Sequence, residues 1–231
     1  MVKKQKPVAV FDVDGTIFRS SLLIGLVELM VAEGILPKKV EQRYQDAHKR
    51  WLDREGGYAE YINAMVDAFY DNIKGVHYSD FAEISKKVVD SKGRHTYRYT
   101  RDLIKQLKKE GYFLLAVSHS PKTILSEFCP LLGFDKTYGM IYEIGPEDRL
   151  TGEVVDKHLI LNKAYILKRA VEKEGLTLSG SIGVGDTESD ISFLELVEKP
   201  ICFNPNSNLY RHAKLNNWNI VVERKDVIYE I

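Results

Sequence analysis

The stretch Val8-Ala9-Val10-Phe11-Asp12-Val13-Asp14-Gly15-Thr16-Ile17 constrains this chain more than any other. Four apolar residues run into two carboxylates one residue apart, then into a Gly-Thr turn. A continuous apolar run of this length reads as a buried strand. Acids at its C-terminal end lie where open α/β sheets bind ligands. Two carboxylates so close repel each other unless a cation or a shared proton intervenes. The pattern points to a site that holds a divalent metal, keeps one acid protonated, or does both.

The same kind of run recurs at Phe113–Val117, Ser181–Val184, Ile201–Phe203 and Ile220–Val222. Helical patterns lie between most of them. Ile160, Ala164, Leu167 and Val171 share one helix face around Lys163; Ile191, Phe193, Leu194 and Val197 mark another helix, and residues 206–215 a third. Strands alternating with helices predict a mostly parallel sheet with helices on both faces. From about Ser20 to Lys92 no strand pattern appears. Leu22, Leu26, Leu29 and Met30 are helically spaced, as are Tyr58, Ile62, Met65 and Phe69. This stretch reads as a helical insertion after the first strand, rich in aromatic residues such as Tyr44, Trp51, Tyr58, Tyr61 and Phe69. Most of these rings would pack the insertion's own core. A few could line a pocket if the insertion forms a lid over the acids.

The 231 residues suffice for one large domain or for a core with a smaller insert. With 33 basic and 33 acidic residues, no global field attracts nucleic acid or anionic membrane. The basic residues interleaved with aromatics at 94–101 read as a solvated return from insertion to core, or as a source of one arginine for an anionic substrate. The greasiest segment, Leu22 to Leu36, carries Glu28 and Glu33 and is too short to span a bilayer. Cys129 and Cys202 read as buried free thiols, and the apolar run behind the basic start is too short for a signal peptide. The expectation is a cytoplasmic protein with no nucleic-acid or membrane partner, a monomer or homodimer.

Four clusters are polar where packing alone would not want them. Asp12 and Asp14 with Gly15 and Thr16 form the first. Ser118-His119-Ser120-Pro121 follows the strand at Phe113; Ser120 suits a helix N-cap and Pro121 a first helical position, which would aim backbone N–H groups at an anion. Lys163 lies near the start of an amphipathic helix, and taken alone reads as a solvated lysine. The fourth, Gly183 to Asp190, is again strand, turn and helix, with Asp186 and Asp190 four apart. Glu188 stands where a dinucleotide fingerprint needs its third glycine, which disfavours that cofactor. Together the clusters supply acids for a metal, a nucleophile, a hydroxyl, backbone donors and a cation. Phosphoryl transfer needs such a set, because it rests mainly on positioning and charge neutralisation.

These residues carry a resemblance. Asp12-Val13-Asp14-Gly15-Thr16-Ile17 resembles the first motif of the haloacid-dehalogenase-like (HAD) hydrolases. Ser118 resembles the second motif, Lys163 the third, and Gly185-Asp186-Thr187-Glu188-Ser189-Asp190 the fourth. The helical insertion sits between the first and second, as in type 1 caps. Leu150-Thr151-Gly152-Glu153 and Phe203-Asn204-Pro205-Asn206 resemble segments of the phosphoserine-phosphatase-like branch, subfamily IB. The resemblance implies an α/β, Rossmann-type parallel sheet at 1–19 and 93–231, with an all-helical cap at 20–92.

It also implies roles. Asp12 would attack phosphorus and form an aspartyl-phosphate, and Asp14 would protonate the leaving oxygen and then activate water. Mg²⁺ would be held by Asp12, Asp186 and the backbone carbonyl of Asp14. Ser118, the N–H of His119 and Lys163 would hold phosphate oxygens, with Gly15 and Thr16 shaping the loop beside them. Asp190 would orient Lys163 or a metal water. The implied activity is a Mg²⁺-dependent phosphatase acting on a small phosphorylated metabolite. A phosphotransferase or phosphomutase is the alternative within chemistry; a phospho-ligand-binding protein with little turnover is the alternative outside it.

Two departures matter. Phosphoserine phosphatases carry an acid nine positions after the nucleophile, and Ser21 occupies that place here. They carry Asn just before the last Asp of the fourth motif, where this chain has Ser189. Phosphoserine is therefore disfavoured as substrate. His119 stands where a small residue is common, so either only its backbone matters or its ring meets the leaving group.

Overall fold

A computed structural model of the chain describes residues 5–231. Eight strands form one sheet: β1 (Pro7–Phe11), β2 (Phe113–Pro121), β3 (Lys136–Ile144), β4 (Leu150–Val155), β5 (Thr177–Gly185), β6 (Lys199–Phe203), β7 (Asn219–Arg224) and β8 (Val227–Glu230). Their spatial order is β4-β3-β2-β1-β5-β6-β7-β8. Strands from β3 across to β7 run parallel, and β4 and β8 close the two edges antiparallel. Val8 to Phe11 of β1 are completely buried, as a central strand covered on both faces requires. The chain builds outward from β1 through β2 and β3, then returns to place β5 on the other side of β1. The order therefore reverses beside β1, the position where open α/β sheets leave a crevice at their carboxyl ends.

Between β1 and β2 every regular element is helical. α1 (Leu22–Ala32), α2 (Gln45–Leu52), α3 (Tyr58–Tyr70) and α4 (Tyr78–Lys92) form the insertion, and α5 (Arg98–Lys109) leads back to β2. α1 is buried nearly all round at its N-terminal half, from Leu22 to Val27, and forms the centre of this helical unit. Ser21 caps it: its Oγ accepts from the Leu23 N–H at 3.2 Å.

The remaining helices are α6 (Lys122–Phe128), α7 (Lys157–Ile160), α8 (Lys163–Glu174), α9 (Ile191–Leu194) and α10 (Ser207–Asn216). Two sequence expectations need correction. The buried side of α8 is Lys163, Ile166, Leu167 and Ala170, one position away from the predicted face, because Ile160 belongs to the separate turn α7. Ser118 to Pro121 are not a helix start. β2 continues through them, α6 begins at Lys122, and Ser120 makes no capping bond.

Candidate active site

Asp12 follows β1 directly, and its N–H donates to the Val184 carbonyl at 2.9 Å, which locks it beside the end of β5. Lys163, at the first position of α8, reaches it from below. Its Nζ lies 2.6 Å from Asp12 Oδ1 and 2.6 Å from Asp190 Oδ1. The lysine is 2% exposed, so the solvated reading is wrong for this residue. Burial alone would push its ammonium pKa down; Asp12 and Asp190 more than reverse that, and the group stays cationic.

Asp190 is fully engaged. Besides Lys163, its Oδ2 accepts from the Asp186 and Thr187 N–H groups, both at 3.0 Å. The turn that carries it closes as a capping box with Thr187. Gly185 permits this approach, since a Cβ there would meet the Asp190 side chain at 2.5 Å. Asp186 is held from the other side: Thr16 Oγ1 donates to its Oδ1 at 3.1 Å. The Asn206 N–H donates to its backbone carbonyl at 2.9 Å, and the Asn206 and Asn208 side chains grip Glu188. Gly15 takes φ +79°, and a Cβ there would sit 2.1 Å from Asp186 Oδ2, so only glycine fits.

Asp14 points elsewhere. Its Oδ1 accepts from the Leu22 N–H at 2.6 Å. Its Oδ2 accepts from Ser118 Oγ at 2.9 Å and from Ser120 Oγ at 2.7 Å. A serine hydroxyl donates or accepts as required, so this environment serves either protonation state of the acid. Ser120 was missed as a site residue, because Ser-Pro after an apolar run reads as a helix cap. The extended backbone of β2 instead turns both serines toward Asp14. Ser20 adds a strained feature, φ 112° in a non-glycine residue, whose carbonyl accepts from the Gly15 N–H at 2.9 Å.

Oxygen atoms of Asp12, Asp186 and Asp190 lie within 4.8 Å of one another. Burial raises the pKa of Asp12 and of Asp186, and the neighbouring acids raise both further against the pull of Lys163. Three crowded carboxylates with one ammonium leave an excess of negative charge. A hard divalent cation with oxygen ligands suits that excess. Asp190 belongs to the trio by distance only, since Lys163 and two amides already occupy its oxygens. Asp12 and Asp186 each keep one oxygen, Oδ2, that takes no hydrogen bond from the described residues.

His119 is neutral. Burial, then Lys163, lowers its pKa to about 4, with Asp190 opposing. Its Nε2 is buried without a hydrogen-bond partner among the described residues. The 94–101 stretch is the return from the helical unit. The Tyr97 N–H donates to the Ile17 carbonyl, the Arg98 and Tyr99 N–H groups donate to the Glu223 carboxylate, and the Tyr97 and Tyr99 rings pack on Phe203. Among the described residues no helix is long and apolar enough to cross a membrane. Cys129 and Cys202 are buried and unpaired.

The chain is similar to several phosphatases. It is 24% identical to a histidinol-phosphatase of Neisseria meningitidis, over 94% of this chain and 98% of that protein. It is 22% identical to a phosphoserine phosphatase of Methanocaldococcus jannaschii, over 98% of this chain and 96% of that protein. A solved structure of a phospho-aspartyl intermediate analogue of phosphoserine phosphatase superposes with a TM-score of 0.64 at 21% identity, covering 96% of both chains. The model of the haloacid dehalogenase-like hydrolases matches residues 9–195, a span that includes the end of β1, the Asp12–Asp14 pair, β2, Lys163 and the Asp186–Asp190 turn. By that match, which reaches from the first acid pair to the last, the chain belongs to the haloacid dehalogenase-like hydrolase family.

Proposed function

We propose that this protein is a Mg²⁺-dependent phosphatase that hydrolyses a small phosphomonoester through an aspartyl-phosphate on Asp12. One observation carries this reading: the two acids of the first motif have different partners. Asp12 sits with a lysine and the metal-type acids, as a nucleophile facing an anion requires. Asp14 sits with two hydroxyls, as a proton carrier requires. A site built only to bind phosphate has no use for that separation.

In the first step an Asp12 oxygen attacks phosphorus, and the bond from phosphorus to the leaving oxygen breaks. Asp14 gives that oxygen its proton. In the second step Asp14 takes a proton from water as the water attacks the aspartyl-phosphate, and Asp12 and inorganic phosphate are released. Lys163 neutralises charge on Asp12 and on the transferring group, while Asp190 fixes the lysine. Ser118 and the His119 N–H would hold phosphate oxygens, and Gly15 leaves the space that Asp186 needs. Asp12, Asp186 and the Asp14 backbone carbonyl would hold Mg²⁺, which neutralises the repulsion between carboxylates and phosphate when bound. Residues 20–92 would form the cap and 1–19 with 93–231 the catalytic core, residues 1–4 of which lie outside the described residues. The two buried thiols suit a reducing cytoplasm.

The names of the relatives favour a small amino-alcohol phosphate. Ser21 argues against phosphoserine, since it is spent on capping α1 and supplies no charge to an amine. A phosphate-release screen over metabolite phosphomonoesters, with Asp12→Asn protein as blank, tests the reading. Release that requires Mg²⁺ and Asp12 is expected. Full release after exhaustive chelation contradicts the metal assignment, and release by the Asp12→Asn protein contradicts the nucleophile.

A further inference from the structure

Two serine hydroxyls meet one oxygen of Asp14. Ser118 Oγ lies 2.9 Å and Ser120 Oγ 2.7 Å from Oδ2. The other oxygen, Oδ1, is held by the Leu22 N–H at 2.6 Å. That amide can only donate, so Oδ1 stays an acceptor and the proton that Asp14 carries belongs on Oδ2. Oδ2 is therefore the oxygen whose direction matters to the leaving group.

The two hydroxyls are not equivalent. Ser118 Oγ also accepts from the Ser120 N–H at 2.9 Å. That amide fixes the oxygen and leaves its single hydrogen free to turn. A hydroxyl has one hydrogen to give, so Ser118 serves Asp14 or a phosphate oxygen and not both. Ser120 Oγ has Asp14 as its one partner among the described residues, and the residue is 4% exposed, so little water competes for it. Its backbone is tightly placed. The N–H is bonded to Ser118, and Pro121 continues β2 opposite Met140 of β3. A Cβ on Gly139 would lie 2.9 Å from the Ser120 carbonyl oxygen, so glycine lets β3 close on this point.

We infer that Ser120 is the positioning residue of the proton carrier: when the ester binds, the Ser118 hydrogen turns to the phosphate, and Ser120 alone keeps Oδ2 aimed at the leaving oxygen. The inference rests on the phosphatase reading, from which it takes that Ser118 meets phosphate and that Asp14 gives the proton. The proton on Oδ2 passes to the leaving oxygen, and Ser120 keeps its own hydrogen throughout. Such a residue matters most where a proton must be given.

Benzyl phosphate and 4-nitrophenyl phosphate separate this role from a structural one. Benzyl alcohol cannot leave without a proton, whereas 4-nitrophenolate can. With protein in excess and Mg²⁺ present, alcohol release in a single turnover isolates the first step from the later attack of water. Ser120→Ala is expected to slow release of benzyl alcohol about tenfold, roughly the worth of one hydrogen bond to a charged group, and release of 4-nitrophenol less than about threefold. Calorimetric titration of the Mg²⁺-loaded proteins with inorganic phosphate gives the other half. Affinity should fall about tenfold in Ser118→Ala and less than about threefold in Ser120→Ala. Equal slowing of the two esters by folded Ser120→Ala protein, no slowing of either, or a loss of phosphate affinity as large as in Ser118→Ala overturns the inference. Release of neither alcohol by the wild-type protein overturns the phosphatase reading instead, and the titrations still decide which hydroxyl the phosphate takes.

Discussion

The core and the cap place their charged groups differently. In the core, polar groups are buried and committed: Lys163 is held between Asp12 and Asp190, both partners at 2.6 Å and all three residues nearly inaccessible. In the cap, charged groups pair at the surface, as Arg50 does with Glu60, each side chain about half exposed. Aromatic filling does not separate them: Phe11, Phe128 and Phe203 of the core and Phe69 and Phe81 of the cap are all fully buried. The difference teaches where the proposed chemistry is held: in the buried charge geometry of the core.

That contrast predicts a ranked series of effects. Asp12→Asn and Asp14→Asn should each lower phosphate release at least about a thousandfold on every substrate, with far-ultraviolet circular dichroism unchanged. A variant that loses activity on one substrate only would break the contrast. Lys163→Met should destabilise the fold by about 3–5 kcal/mol in urea titration, because it leaves two carboxylates buried without their cation. Ser120→Ala should cost roughly tenfold in kcat through the lost bond to Asp14, with KM moving less. An unchanged kcat would return Ser120 to a structural role.

His119 supplies a pH test. Its folded pKa, about 4, lies below the ordinary histidine value of 6.5. Below pH 6.5 the unfolded chain binds the proton and the folded one resists it, so this residue costs stability progressively as pH falls toward 4. Urea midpoints measured between those values should fall more steeply for wild type than for His119→Gln. The smallest effect belongs to the cap: Glu60→Gln should shift stability by less than about 1 kcal/mol, the ordinary worth of an exposed ion pair. A loss matching that of Lys163→Met would erase the distinction between the regions.

The strands buried on both faces were legible because burial demands continuous apolar runs; β1, β2, β5, β6 and β7 announce themselves this way. β3, β4 and β8 do not, since Ile141, Ile144, Val155 and Val227 are exposed and their strands mix polar with apolar residues. The acid pair and the Asp186–Asp190 turn were legible as carboxylates at strand ends. Ser120 was hidden, because its role depends on two further residues of extended backbone that local sequence cannot distinguish from a cap. Lys163 was visible only by its place in an order of motifs, since lysine is so seldom buried. The parallel alignment of His48, Trp51 and Tyr61 was not visible at all. Helical spacing shows that rings face inward, and tertiary packing alone decides whether they fill a core or line a hollow.

The central claim is that Asp12 is the nucleophile, and a trapping experiment tests it most directly. Protein turning over a radiolabelled phosphomonoester with Mg²⁺ is quenched in acid, digested, and its peptides separated. The account predicts hydroxylamine-labile label on the peptide containing Asp12, absent from Asp12→Asn protein. Turnover at the wild-type rate with no label on that peptide, or with label elsewhere, would contradict it.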